Sequence, residues 1–145
     1  MAVLDASALV ALLNGEPGAA TVKQLFEEPT RPSGISAINL AEGIDVLIRV
    51  YGIEESAVAD AIDLLEVGGL DVLPIDARTA WQAGIFRASR YRKSTAELSH
   101  ADCIAAVTAR ERAEPLVTSD RPLTRVARAS GIEVIQIPDR FKGSR

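Results

Sequence analysis

The sequence predicts a three-layer α/β domain, a central parallel sheet flanked by helices. Two observations predict it. Short apolar runs recur along the chain, each separated from the next by a longer stretch of helical pattern, and strands joined through helices run parallel in one sheet. No repeat, no low-complexity tract and no Pro-, Gly- or Ser-rich linker divides the 145 residues, of which 48% are hydrophobic. Residues 1–145 therefore read as one domain with its own core.

In chain order, "AVL" (2–4) reads as a strand running into a helix over 7–13. "SGIS" (33–36) is a weak second strand ahead of a helix over about 37–51. A further helix over about 54–67 ends at Gly68-Gly69, where the chain can leave the helical conformation cheaply. "LDVLPI" (70–75) reads as a strand and 77–92 as a helix. Ser99 opens another helix through about Ala113. "LVT" (116–118) is a strand, 123–130 a helix stopped by Gly131, and "EVIQI" (133–137) the last strand.

Bulk properties exclude several classes. No run of about 18 apolar residues offers a membrane span. "MAVLDASALVALLNG" has an Asp inside its apolar stretch and no basic residue before it, so it reads as mature structure and not as a signal peptide. The single cysteine cannot form an internal disulfide, which suits a reducing cytoplasm. The net charge of −4 conceals an asymmetry: residues 1–76 carry 13 acids and 3 bases, and residues 77–145 carry 7 acids and 13 bases. An acidic half and a basic half suit a metal and a polyanion respectively, and equally suit two solvated surfaces.

Open α/β sheets bind ligands at the carboxyl ends of their strands. The acids placed there are Asp5, Asp76, Asp120 and Asp139. An Asp at a strand-to-helix junction is also a favoured N-cap, worth about 1 kcal/mol, and either role explains each of the four. The stretch "ELSHADCIAAVTA" (97–109) holds the chain's one histidine, His100, and its one cysteine, Cys103. Zinc takes three or four thiolate and imidazole ligands, so two such residues exclude a structural zinc site. As a nucleophile pair they have no third group to orient them, and a buried Cys beside a surface His is expected. Asp102 fits the S-x-x-D capping box opened by Ser99. Glu42 shares a polar helical arc with Asn39, Asp45 and Arg49, as on a solvated face with an i, i+4 ion pair.

Acids gathered at one rim repel one another unless a cation sits among them. Hard oxygen donors without His or Cys select Mg²⁺ or Mn²⁺, and such a centre suits phosphodiester hydrolysis. Ser7, Thr118 and Ser119 stand beside the acids and are placed to hydrogen-bond the carboxylates.

With these acids in order, the chain resembles the PIN-domain family, and within it the VapC-type toxin ribonucleases of toxin–antitoxin pairs. The resemblance spans nearly the whole chain. It rests on "VLDASALVALLNGEPG", "ISAINLAEGIDVLIR", "LSHADCIAAVTARERAEPLVTSDRPL" and "GIEVIQI" in that order. It implies a PIN-like fold and an acidic quartet at Asp5, Glu42, Asp102 and Asp120, serving as catalytic residues and metal ligands. Ser7 and Thr118 match the family's hydroxyl positions near those acids. Asp76 and Asp139 match no family role and revert to helix or turn caps. The implied activity is Mg²⁺- or Mn²⁺-dependent endonucleolytic cleavage of RNA without a covalent intermediate. A homodimer and a small cognate antitoxin protein covering the site are implied as partners, with the helices over 37–51 and 54–67 forming part of the antitoxin groove.

Arg87, Arg90, Arg92, Lys93, Arg121, Arg125 and Arg128 are candidate phosphate contacts for the RNA. Tyr91 and Trp81 offer stacking surfaces, although the helical pattern around Trp81 predicts a core position. A haloacid-dehalogenase-like phosphatase would want a second Asp two residues after the first, where this chain has Asp5-Ala6-Ser7. A receiver domain would want a lysine after the last strand, where this chain has Pro138-Asp139. The remaining alternative is a PIN-like RNA- or protein-binding module that does not cut.

Overall fold

The computed structural model describes residues 1–28 and 32–139. The chain alternates as β1 (Ala2–Leu4), α1 (Ala6–Leu13), α2 (Ala19–Glu27), β2 (Ser33–Ser36), α3 (Ala37–Asp45), a π-helical segment (Val46–Val50) and α4 (Glu55–Val67). It continues through β3 (Leu70–Leu73), α5 (Ala77–Arg90), α6 (His100–Arg112), β4 (Leu116–Thr118), α7 (Arg121–Ala129) and β5 (Val134–Gln136). All strand pairs are parallel, in the order β3-β2-β1-β4-β5. Strand order thus reverses at β1, whose two neighbours are β2 and β4.

The central strands β1, β2 and β4 are buried along their whole length, on both faces of the sheet. Successive side chains of a strand point to opposite faces. Val3 and Leu116 accordingly join Phe86, Val107 and Leu123 beneath α5, α6 and α7. Leu4 and Val117 join Leu9, Val22 and Ile35 beneath α1 and α2. A third cluster of Val10, Leu47, Val58 and Ile62 ties α1 to the π segment and α4.

Three elements differ from the sequence expectation. The sequence pattern shows no element between 14 and 32, where α2 forms. Gly18 opens that helix without a side-chain cap, and Val22 is its only fully buried residue, so its periodic signal is faint. The single helix expected over 37–51 changes to π geometry after Asp45. Leu47 of this segment is fully buried in the core. Trp81 is 69% exposed, contrary to the core position its helical pattern suggested. The buried face of α5 is carried by Ala83 and Phe86 instead. No helix among the described residues is long and apolar enough to cross a membrane.

Candidate active site at the carboxyl ends of β1 and β4

Asp5 follows β1 and Asp120 follows β4, so the reversal of strand order sets these two acids side by side. Both are N-caps. Asp5 Oδ1 accepts from the Ala8 amide at 3.0 Å, and Asp120 Oδ1 from the Leu123 amide at 2.7 Å. Asp102 stands at the third position of α6 in a reciprocal capping box. Its amide donates to Ser99 Oγ at 3.0 Å, and its Oδ2 accepts from the Ser99 amide at 2.8 Å. Three helix N-termini, each carrying partial positive charge, therefore hold one acid apiece. Capping and site membership are one arrangement: Asp102 and Asp120 each commit one oxygen to their own helix and keep the other without a described hydrogen-bond partner.

Glu42 reaches the same place from the middle of α3, which packs against both α1 and α6. Gly43 permits the close crossing with α1, since a β-carbon there would lie 2.8 Å from Leu9 Cδ2. Asn39, one turn before Glu42, locks α3 to α6. It is buried, its Nδ2 donates to the Ala101 carbonyl at 3.3 Å, and its Oδ1 accepts from Ser36 Oγ at 2.5 Å. The polar arc expected of a solvated face holds for Asp45 and Arg49, which pair at 2.9 Å, but not for Asn39. The Ser36-x-x-Asn39 spacing at the helix start was the available signal for its role.

A hydroxyl network fixes Asp5, which is only 3% exposed. The Ser119 amide donates to Ser7 Oγ at 2.9 Å, and Ser7 donates to Asp5 Oδ1 at 2.6 Å. The Asp120 amide donates to Thr118 Oγ1 at 3.0 Å, and Thr118 donates to Asp5 Oδ2 through a short hydrogen bond. Because each hydroxyl accepts from an amide, its own proton is directed at the carboxylate. Ser7 and Thr118 thus each hydrogen-bond one oxygen of the Asp5 carboxylate. Ser119 contributes its backbone amide and not its hydroxyl.

Electrostatics link all four acids. Burial raises Asp5 to a pKa of about 6 against the pull of Ser7, Thr118 and Ala8, with Asp102 adding to the rise. Burial also raises Asp102, with the charge of Asp120 adding to it and the bonds from Ser99 opposing it. Glu42 is raised by burial, then by Asp102, Asp120 and Asp45. Carboxylates that raise one another's pKa values in this way are a pattern found at functional sites. As placed, no three His, Cys, Asp or Glu side chains among the described residues converge tightly enough to hold an ion. An open cleft of roughly 900 Å³ reaches this site, with Ser7, Glu16, Glu42, Asp120, Arg121 and Asp139 on its wall.

The remaining candidates separate cleanly. Asp76 caps α5 through the Thr79 amide at 2.8 Å, at the end of edge strand β3 and away from the strand reversal. Asp139 caps nothing described and pairs instead with Arg121 at 3.2 Å. His100 is exposed, and Cys103 is fully buried with its thiol pushed up to about 11 by burial and Asp102. A thiol that stays protonated is no nucleophile. His100→Ala and Cys103→Ser are therefore expected to keep whatever activity the site has within about threefold of the parent; a loss beyond tenfold in a folded variant would put the chemistry on that pair.

Most of the basic candidates hold the chain together. Arg87 donates to the Leu98 carbonyl at 2.8 Å and lies over Tyr91. Arg90 donates to Ser130 Oγ at 2.7 Å and lies over Phe86. Arg92 donates to the Tyr91 carbonyl at 2.7 Å, Arg125 to the Thr95 carbonyl at 2.8 Å, and Arg128 to the Val134 carbonyl at 3.4 Å. Arg87 and Arg125 pin the loop ahead of α6, and so the capping box that carries Asp102. Lys93 is exposed in that loop.

The fold and the site together define a parallel α/β domain with a carboxylate cluster at its topological switch point. The PIN-domain family model matches residues 2–129, and the chain belongs to that family. No curated protein matches it in sequence. Among solved structures it is similar to the Mycobacterium tuberculosis toxin VapC20, described as cleaving the sarcin–ricin loop. The two share 20% identity over 96% of this chain and 100% of that one, with a TM-score of 0.70. It is also similar to VapBC2 from Rickettsia felis bound to a promoter DNA fragment, at 17% identity over 94% and 98% of the chains and a TM-score of 0.68. VapBC-5 of M. tuberculosis shows 25% identity over 94% and 98%, with a TM-score of 0.59.

Proposed function

We propose that this chain is the toxin endoribonuclease of a toxin–antitoxin pair, cleaving RNA by Mg²⁺- or Mn²⁺-assisted phosphodiester hydrolysis. The observation that carries the reading is the electrostatic linkage of Asp5, Glu42, Asp102 and Asp120 at the carboxyl ends of β1 and β4. The donor set is all oxygen, which fits a hard divalent cation and does not fit zinc. A bound cation would neutralise the carboxylates, lower the pKa of an attacking water and balance charge on the phosphate.

The chain's own residues supply position. Ser7, Thr118 and the Ala8 amide fix both oxygens of Asp5. The capping bonds fix one oxygen each of Asp102 and Asp120, the second has no described hydrogen-bond partner, and Asp120 lines the cleft. Glu42, exposed on α3, faces the same space and can accept a proton from water there. The family resemblance and the toxins among similar folds support an antitoxin partner, a cytoplasmic site of action and a homodimer. Trp81 and Ile85, 69% and 49% exposed and one turn apart on α5, offer an apolar strip for a second copy.

Antitoxin-free protein is expected to cut RNA endonucleolytically with Mg²⁺ or Mn²⁺ and to stop in EDTA. Mapping new 5′ ends after induced expression would give the target. Growth arrest on expression, relieved by the adjacent small gene, would identify the antitoxin. RNA bound but never cut under any of these metals would instead assign the chain to the binding-module alternative.

A further inference from the structure

Phosphodiester RNA approaching this site must pass a wall rich in carboxylates: Glu16, Glu42, Asp120 and Asp139 all line the cleft. Arg121 is the one basic side chain among the described residues on that wall. It follows Asp120 directly at the start of α7, so its backbone is fixed relative to a member of the acidic cluster. Its Nε lies 3.2 Å from Asp139 Oδ2 in an ion pair, and its two terminal nitrogens have no described hydrogen-bond partner. A guanidinium held by Nε presents its remaining donors as a pair, the geometry that suits two phosphate oxygens. Arg87, Arg90, Arg92 and Arg125 donate to this chain's own carbonyls and hydroxyls and do not line the cleft.

We propose that Arg121 receives a phosphate of the RNA at the cleft, with Asp139 as the positioning residue that holds its guanidinium there. The inference rests on the ribonuclease reading and names which cation serves it. Asp139 restrains a side chain that otherwise samples many rotamers, so the contact forms with less ordering when RNA arrives. Both side chains are well solvated, at 57% and 41% exposure, and the ion pair adds little to folding. Variants at either position are therefore expected to fold, with thermal melts as the control.

The test combines RNA cleavage in Mn²⁺ over a salt series with fluorescence anisotropy of a short single-stranded RNA in EDTA. Arg121→Ala is expected to raise KM about tenfold, change kcat less than threefold, and reduce the slope of log KM against log salt by about one. Arg121→Lys should recover the slope but only part of the affinity, because an ammonium has no fork. Asp139→Ala should raise KM about threefold with the slope unchanged, and should add nothing in the Arg121→Ala background. An unchanged KM in Arg121→Ala overturns the proposal, as does tighter binding in Asp139→Ala or full additivity of the two losses. Wild-type protein that cuts no RNA would fail the ribonuclease reading alone. Anisotropy then still decides this one: weaker RNA binding by Arg121→Ala supports it, and equal binding overturns it.

Discussion

Asp102→Ala is expected to lower RNA cleavage by at least about a hundredfold, the scale seen when a single charge-stabilising group leaves an active site. The fold should survive. Asp102 contributes to the capping box of α6, and losing that bond costs about 1 kcal/mol. Relief of its repulsion with Asp5, Glu42 and Asp120 offsets part of this cost. Capping and catalysis separate through Ser99→Ala, which removes the other half of the same box and leaves the carboxylate in place. That variant should lose a similar amount of stability and keep most of its activity. Equal loss of cleavage in both variants would mean that Asp102 acts only by holding the helix start.

Asp5→Asn is expected to abolish cleavage and to stabilise the metal-free protein at neutral pH. Asp5 rises from an ordinary 3.8 to about 6 in the folded chain. Below pH 4 its carboxyl is neutral in folded and unfolded chains alike, and its burial carries no charge penalty. Between about pH 4 and 6 the unfolded chain ionises first, so stability falls as pH rises. Above pH 6 the penalty is complete, at roughly 3 kcal/mol for a carboxyl raised this far. Asparagine keeps an acceptor for Ser7 and the Ala8 amide and offers Thr118 a donor in place of Oδ2. Chemical denaturation in EDTA at pH 5 and 7.5 reads the difference: the parent should lose stability between the two, and Asp5→Asn should lose less. A variant less stable than its parent at pH 7.5 would contradict burial as the cause. Added Mn²⁺ should reverse the order, stabilising only the parent by mass action.

Most of the sheet was legible because β1, β4 and β5 are short apolar runs set between helical patterns, whereas β2, Ser-Gly-Ile-Ser, gave only a weak signal. Helix α2 was not, since one buried valine and an uncapped start leave no pattern to read. Among the acids, the strand-end rule placed Asp5 and Asp120 at the site and offered Asp76 equally. The family resemblance gave Asp76 no role, and the strand order, with β3 at the edge, sets it physically apart. Glu42 and Asp102 came through family resemblance, because their spacing fits a solvated face and a helix cap just as well. In the structure Asp5, Asp102 and Asp120 each cap a helix start while lying in the same group of acids, so a capping role does not argue against the proposed site role. The basic residues were least legible. Arg87 and Arg125 look like phosphate contacts in sequence, yet their donors meet backbone carbonyls that only the folded chain brings near.

Titration of antitoxin-free protein with Mn²⁺, followed by the electron paramagnetic resonance signal of the free ion, tests the acidic quartet most directly. The account predicts saturable Mn²⁺ binding by the parent at pH 7.5, weakened by acidification to pH 5 and lost in Asp5→Asn and Asp102→Asn. Parent protein that binds no Mn²⁺, or folded variants that bind it as the parent does, would contradict it.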